Sequence, residues 1–308
     1  MENYYLGFDI GGTKCAVSLG KWLNQKIEIL EREETPTRNT PFETFDNLAS
    51  FVDKWKTKYA VKCAGVSCGG PLNSKKGIII STPNLAKEWH GFEIIPYIRS
   101  RFGLNAKLEN DANASAVAEW KFGAGRGAKN VVFMTFGTGL GAGLILDGKL
   151  YSGTNGNAGE IGHIRLENEG PIGYNKAGSA EGFCSGNGIK NLAILRAKEQ
   201  GGSIDKDITT KIIFERAKQD DEFCFSIVKE SAEKFAKVIS LLIDLFNPEV
   251  IVAGGVFMRN YNLFMSIMKP MIERECLTDS YKACKILPAQ IGENIGDYAA
   301  LAIAISED

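Results

Sequence analysis

The residues best suited to chemistry lie between positions 108 and 163. LENDANASAVAEW carries an aspartate beside asparagine, FGTGLGAGLILDG is a glycine-rich hairpin, and GNAGEIGH sets a carboxylate three residues from an imidazole. With the opening YYLGFDIGGTKCAVSLG they supply two glycine turns able to cradle phosphates, polar groups able to grip a polyol, and one aspartate able to take a proton. Phosphoryl transfer to a hydroxyl needs such groups together.

Each motif has a plainer alternative. Asp9-Ile-Gly-Gly-Thr-Lys14 follows an apolar stretch: Gly11 and Gly12 let backbone N–H groups approach phosphate, Thr13 and Lys14 add donors, and Asp9 can hold hydrated Mg²⁺. By itself it is equally well a hairpin turn, since it is neither a Walker A loop nor a dinucleotide fingerprint. Gly137 to Gly143 holds four glycines in seven positions with Thr138 among them, more than a bulge needs, and it recurs at the corresponding place in the second half. That recurrence favours phosphate binding. Asn110-Asp111-Ala-Asn113 lies where a strand meets a helix; an isolated pair would be a helix cap, but the junction and the small side chains after it leave room for a ligand and a base. Glu160 and His163 suit charge-assisted bonds to sugar hydroxyls, whereas zinc would require a second ligand set that is missing nearby. His90, after Trp89, reads as structural or surface, and the alternating Lys and Glu from 229 to 237 as the wet face of a helix. Glu181 and Asn84 are unremarkable by spacing.

The elements that must position these groups follow from periodicity and punctuation. Strands are expected over Tyr4–Ile10, Cys15–Gly20, Lys26–Glu33, Val61–Cys68, Gly77–Ser81 and Ala106–Glu109, and helices over Pro41–Tyr59 and Asp111–Phe122, the latter capped by Asn110 or Asp111. The β-rich pattern restarts with Asn130–Phe136, Leu140–Leu146 and Lys149–Tyr151. A long amphipathic helix over Phe223–Phe246 is stopped by Asn247-Pro248; Val250–Ala253 is a buried strand ending at Gly254-Gly255, and Ile295–Ile305 a closing helix. The unit β-β-(β)-α-β-α thus occurs near residue 5 and again near 130, which suggests a duplicated α/β domain with a cleft between halves. The boundary is expected near residues 112–125: an N-terminal domain over 1–115, with a helix at about 293–308 packed back on it, and a larger domain over 116–292.

The chain's bulk properties narrow its partners. A length of 308 residues suits two domains. A net charge of −1 with dispersed Lys and Arg leaves no footprint for nucleic acid or an anionic membrane. Seven cysteines without a C-x-x-C pair read as reduced thiols, and neither a leader ahead of Tyr4 nor a membrane-length apolar run is found, so a cytoplasmic location is expected.

DIGGTKCAV, STPNL, NDANASAVAE, FGTGLGAGLI, DGKLYSG, AGEIGH and AGGVF stand in the order found in the ROK family of sugar kinases and sugar-responsive repressors, which this chain resembles from about Tyr4 to Gly255 and more weakly beyond. The resemblance implies a two-domain actin/hexokinase-like (ribonuclease H-like) fold with sugar and ATP in the interdomain cleft. It implies Asp111 as catalytic base, with Asn84, Asn110, Glu160, His163 and Glu181 binding the sugar and Gly70 lining its pocket. Asp9, Gly11, Gly12, Thr13 and Lys14 would serve the ATP phosphates and Mg²⁺, Thr138 and Gly139 a second phosphate turn, and Gly254 and Gly255 the nucleoside. A homodimer is expected on the same ground.

The chain departs from the family at one point. Members usually carry Cys-x-Cys-Gly-x-x-Gly-Cys after the Gly-His pair, holding zinc with the histidine. Here the matching stretch is Pro171–Glu181, and Ile172, Tyr174 and Ser179 stand at the cysteine positions. Cys184 alone cannot rebuild a tetrahedral site, so no zinc is expected. The leading expectation is an ATP-dependent hexose kinase acting on glucose, N-acetylmannosamine, N-acetylglucosamine, allose, fructose or a disaccharide. A sugar-sensing repressor or regulatory protein is disfavoured because only eight residues precede Asp9, and an actin-like ATPase because it needs no polyol grip.

Overall fold

The computed structural model describes residues 2–205 and 207–306; Met1 and positions 307 and 308, the last of the expected closing helix, lie outside them. By its internal contacts the chain divides into two compact units, one made of Met1–Gly127, Leu150–Ala158 and Ile291–Asp308, the other of Ala128–Lys149 and Gly159–Gln290.

In the first unit the opening apolar stretch forms β1 (Asn3–Ile10), and the glycines after it turn the chain into β2 (Lys14–Leu23) and then β3 (Lys26–Pro36). The turn is closed by Gly11 N–H donating to the Lys14 carbonyl at 3.1 Å. Helix α1 (Pro41–Lys58), with Pro41 in its first turn and Thr40 as cap, carries the chain to β4 (Val61–Cys68). The strand expected over Gly77–Ser81 shrinks to β6 (Ile78–Ile79), paired with β5 (Leu72–Asn73) and bridged at Ile79 to Phe92, because Gly77 adopts a positive φ of 70° and turns rather than extends. Helix α2 (Ile94–Phe102) then leads into β7 (Ala106–Asn110) and α3 (Asp111–Phe122). The sheet order is β3-β2-β1-β4-β7, antiparallel up to β1 and parallel from β1 through β7. One face packs Phe8, Phe45, Trp55, Trp89 and Phe102 into a buried aromatic core, and the apolar helix α11 (Ile295–Ile305) lies against β1, β4 and α3.

The second unit repeats this order. Strands β8 (Val131–Phe136), β9 (Leu140–Leu146) and β10 (Lys149–Leu150) precede a short hairpin, β11 (Ile172–Gly173) and β12 (Lys176–Ala177), and helices α4 (Ala180–Cys184), α5 (Gly186–Glu199), α6 (Thr210–Ala217) and α7 (Glu222–Phe246). Strand β13 (Val250–Ala253), helices α8 (Gly255–Arg259), α9 (Tyr261–Glu275) and α10 (Thr278–Ala283), and strand β14 (Lys285–Pro288) complete it. The sheet runs β10-β9-β8-β13-β14, with β8 antiparallel to β9 and parallel to β13. Helix α7 ends as its sequence demands: Asn247 takes the left-handed conformation (φ 43°) before Pro248. Among the described residues no helix is long and apolar enough to cross a membrane.

Candidate active site

In the first unit, register brings the expected site residues to one edge. Ile10 pairs with Cys68, and Cys68 with Asn110, across parallel strands. The turns that follow β1 and β4 and the β7–α3 junction therefore leave the sheet at the carboxyl ends of its parallel strands, where α/β sheets place ligands. A Cβ on Gly12 would collide with the Asn84 carbonyl, so glycine is what lets the β1–β2 turn and the Asn84 segment touch. Gly70 lies beside the Asn110 side-chain amide.

Asn110 is the cap of α3: its Oδ1 accepts from Ala112 N–H at 2.9 Å and from Asn113 N–H at 3.4 Å, leaving its Nδ2 as the group to meet a ligand. Asp111 is the first helical residue and is exposed; its Oδ1 also accepts from Ala112 N–H at 2.9 Å. The carboxylate thus stands in the first helical turn, where the dipole favours negative charge. Glu109 accepts from Asn110 N–H (2.8 Å) and Asn113 Nδ2 (3.0 Å), and burial raises its carboxyl above the usual range.

Asp9 sits against Gly296 at the start of α11. Burial pushes its carboxyl up to about 6, the Asp297 and Asp111 charges push the same way, and Arg32 and Lys14 oppose them. Asp297 is buried and held by Arg32 Nε at 2.8 Å and by Ser18 Oγ at 2.5 Å. Lys14 pairs with Glu34 at 2.8 Å on the neighbouring strand, so a phosphate would compete with that partner. A carboxyl raised by burial and by like charges is short of a cation, and its hard oxygens fit Mg²⁺, held directly or through water.

The second unit has a matching edge. Gly254 N–H donates to the Met134 carbonyl of β8 at 2.9 Å, so the turn after β13 begins against β8. Gly255, at φ 56°, lies so close to the Phe136 carbonyl that a side chain would clash as well as strain the backbone. Gly137 N–H closes the glycine turn on the Gly139 carbonyl at 3.0 Å, with Thr138 exposed at its tip. Glu181, at the start of α4, accepts from Leu140 N–H at 3.1 Å through Oε2 and from Tyr174 N–H at 3.2 Å through Oε1. Glu160 accepts from Tyr174 Oη at 2.8 Å, and His163 meets the Tyr174 ring edge-on with centroids 5.5 Å apart. Lys176 Nζ lies 2.9 Å from His163 Nδ1 and donates to the His163 carbonyl at 2.7 Å. Within this unit Gly139, Glu160, His163 and Glu181 therefore gather around one hairpin.

Sequence reasoning missed Arg32, Asp297 and Ser18, whose spacing carries no signal, and Tyr174 and Lys176. For the last two the only clue was the departure from the cysteine pattern. Ser179, at the third cysteine position, is buried; its Oγ caps α4 on Gly182 N–H at 3.1 Å and donates to the Gly173 carbonyl at 2.9 Å. Cys184 is buried and turned to the Ser231 carbonyl.

The ROK family model matches residues 5–307. The chain belongs to the ROK family. It is 30% identical over 311 residues to a glucokinase of Halalkalibacterium halodurans, covering 96% of this chain and 93% of that one. It is equally 30% identical over 311 residues to an N-acetyl-D-glucosamine kinase of Vibrio vulnificus, covering 95% and 96%. The ROK hexokinase from Thermus thermophilus superposes with a TM-score of 0.82 at 26% identity over 98% of both chains. A ROK glucokinase from Streptomyces griseus, in complex with glucose and AMPPNP, superposes with a TM-score of 0.77 at 29% identity over 98% of this chain and 99% of that one. The expected two-domain actin/hexokinase-like α/β fold is thereby established for this ROK protein, which lacks the cysteines of the zinc motif.

Two outcomes test the site's charges. The folded chain holds the Asp9 proton more tightly than the unfolded chain, so this group favours folding below about pH 4 and that advantage is lost as pH rises through about 6. Asp9→Asn is therefore expected to raise stability at neutral pH by up to about 3 kcal/mol, at about 1.4 kcal/mol per pK unit, with most of the gain gone by pH 4 in calorimetric unfolding. Metal analysis of the purified protein is expected to find no stoichiometric zinc; a full equivalent per chain would overturn the reading of the 171–181 stretch.

Proposed function

We propose that this chain transfers the γ-phosphoryl group of ATP to the 6-hydroxyl of a hexose, with Asp111 as catalytic base. At the coarser level it is an ATP-dependent sugar kinase of the ROK family, in keeping with its glucokinase relatives and with the AMPPNP-bound neighbour. One observation carries the finer reading. Asp9 stands one residue before, and Asp111 one residue after, the in-register set Ile10, Cys68 and Asn110 at the carboxyl ends of parallel strands, close enough that the Asp111 charge raises the Asp9 carboxyl. One would serve the phosphate side of the reaction and the other the hydroxyl side.

The roles follow from donor and acceptor chemistry. Asp111 would take the proton of the attacking hydroxyl as its oxygen bonds to the γ-phosphorus and the bridging bond to ADP breaks. Asn84, the Asn110 amide, Glu160, His163 and Glu181 would bind the remaining hydroxyls, with Gly70 lining the pocket. Backbone amides at Gly11, Gly12 and Thr13, the Lys14 ammonium and the Thr138–Gly139 turn would hold the phosphates, and Gly254 and Gly255 would face the nucleoside. Asp9 would hold Mg²⁺, whose chemistry when bound is neutralisation of phosphate charge. Glucose is the favoured sugar because it asks least of these groups; equal identity to a glucokinase and an N-acetyl-D-glucosamine kinase leaves the choice to the side chains themselves.

A panel of hexoses and amino sugars in a coupled ADP-release assay is expected to give turnover with at least one, glucose first. Sugar binding in calorimetry without any ADP release would instead favour a non-catalytic sugar sensor. Asp111→Asn is expected to lower kcat by ~10²–10⁴-fold, the usual worth of a general base, while calorimetry still detects the sugar. Retained turnover would remove Asp111 from that role.

A further inference from the structure

The hairpin β11–β12 touches each of the three groups in the second unit assigned to the sugar, and it does so mainly through two side chains. Tyr174 donates its Oη proton to Glu160 at 2.8 Å, lays its ring edge-on against His163, and gives its backbone N–H to Glu181 at 3.2 Å. Lys176 places its ammonium 2.9 Å from His163 Nδ1 and 2.7 Å from the carbonyl of the same residue.

The ammonium contact has a chemical consequence. Lysine offers three donors and no acceptor, so a hydrogen bond to Nδ1 requires that nitrogen to carry its lone pair. The imidazole is then neutral with its proton on Nε2, the nitrogen pointing away from Lys176. His163 is thereby set as a donor toward a sugar oxygen, and Glu160 beside it as an acceptor for a sugar hydroxyl. A protonated imidazole would lose the Lys176 bond and meet a like charge instead.

Burial argues that these contacts aim side chains more than they hold the fold together. Tyr174 is 44% exposed and Ile172 is 63% exposed, while Glu160 and His163 are both exposed. The hairpin itself is anchored without them: Ser179 Oγ donates to the Gly173 carbonyl, Gly178 N–H donates to the Pro171 carbonyl at 3.1 Å, and Gly173 packs against Gly182. The Tyr174 hydroxyl and the Lys176 ammonium are tips on a frame already closed by backbone and Ser179.

We infer that Tyr174 and Lys176 are positioning residues for sugar recognition, fixing the carboxylate of Glu160 and the tautomer and ring plane of His163. The inference rests on the sugar-kinase reading above. Tyr174→Phe and Lys176→Met are each expected to raise the sugar KM by about tenfold or more, the worth of one charge-assisted hydrogen bond. The KM for ATP should stay unchanged and kcat should fall no more than about threefold, because the loss lies in binding rather than in the transition state. Lys176→Arg, which keeps a donor, should recover most of the sugar affinity, and thermal unfolding of all three variants should match the parent. A sugar KM unchanged in both Tyr174→Phe and Lys176→Met would overturn the inference and leave the kinase reading standing.

A second readout needs no turnover. The chain has two histidines, so a His90→Gln background leaves His163 alone in side-chain ¹⁵N–¹H correlation spectra. At pH 7.5 the proton is expected on Nε2 with Nδ1 bare, and Lys176→Met should release the ring into a mixture of tautomers. A proton found on Nδ1 of the parent would sink the Lys176 assignment. Should the parent turn over no sugar, the kinase reading falls and these spectra decide whether Lys176 sets the histidine.

Discussion

Each unit depends on one constraint in how its central strand is paired. β1 and β8 each form a hairpin on one side and run parallel to a later strand on the other. A hairpin needs only a short glycine turn, whereas a parallel neighbour requires a crossover, here supplied by α1 in the first unit and by the helices α4 to α7 in the second. Parallel strands send their carboxyl ends to the same edge. Turns separated by some forty to a hundred residues in the first unit thereby converge: Ile10, Cys68 and Asn110 lie in register, and the groups that follow them inherit that proximity. An antiparallel partner in place of β4 would carry Gly69 and Gly70 to the opposite edge.

Convergence has an electrostatic cost. Asp9 is pressed into a partly buried place near two further carboxylates, and only Arg32 and Lys14 oppose them. Arg32 is shared between Asp297 and Glu34, and Lys14 is engaged by Glu34 as well. The cations in reach therefore serve structural partners and leave the Asp9 carboxyl poorly compensated. Strain of this electrostatic kind is common where a protein is built to receive a ligand, because the charge that destabilises the empty chain is the charge the ligand needs.

The second unit meets a different problem. Glu160 and His163 lie on a largely irregular stretch, where nothing in the backbone ladder fixes a side chain. The family resemblance implies a metal-binding loop at this point. Here tyrosine, lysine and serine stand in the same stretch, and the contacts they make are hydrogen bonds and ring packing: Tyr174 to Glu160 and His163, Lys176 to His163, Ser179 to the cap of α4. Hydrogen bonds to exposed groups are individually weak, so the aim of these side chains depends on several acting together.

Much of the fold was legible in the sequence because its signals are local. Apolar runs ending at glycine pairs marked β1 and β4, the Asn247-Pro248 stop marked the end of α7, and Asn110 was readable as a cap because the helix amides it satisfies are two and three residues away. Helix α2 went unread, although Pro96 lies in its first turn where proline is tolerated, and β11 and β12 escaped because two residues cannot show a period. Asp297 could not be read as a neighbour of Arg32 and Ser18, which are 265 and 279 residues away. The sequence by itself thus determined the turns, the caps, the family and the residue types available for phosphoryl transfer, since steric and hydrogen-bonding demands on a turn are set by the residues beside it. Only the tertiary structure decided which carboxylates share a field, which lysine is already paired and what holds His163, because charge coupling and orientation depend on distance in space between groups that the chain keeps far apart.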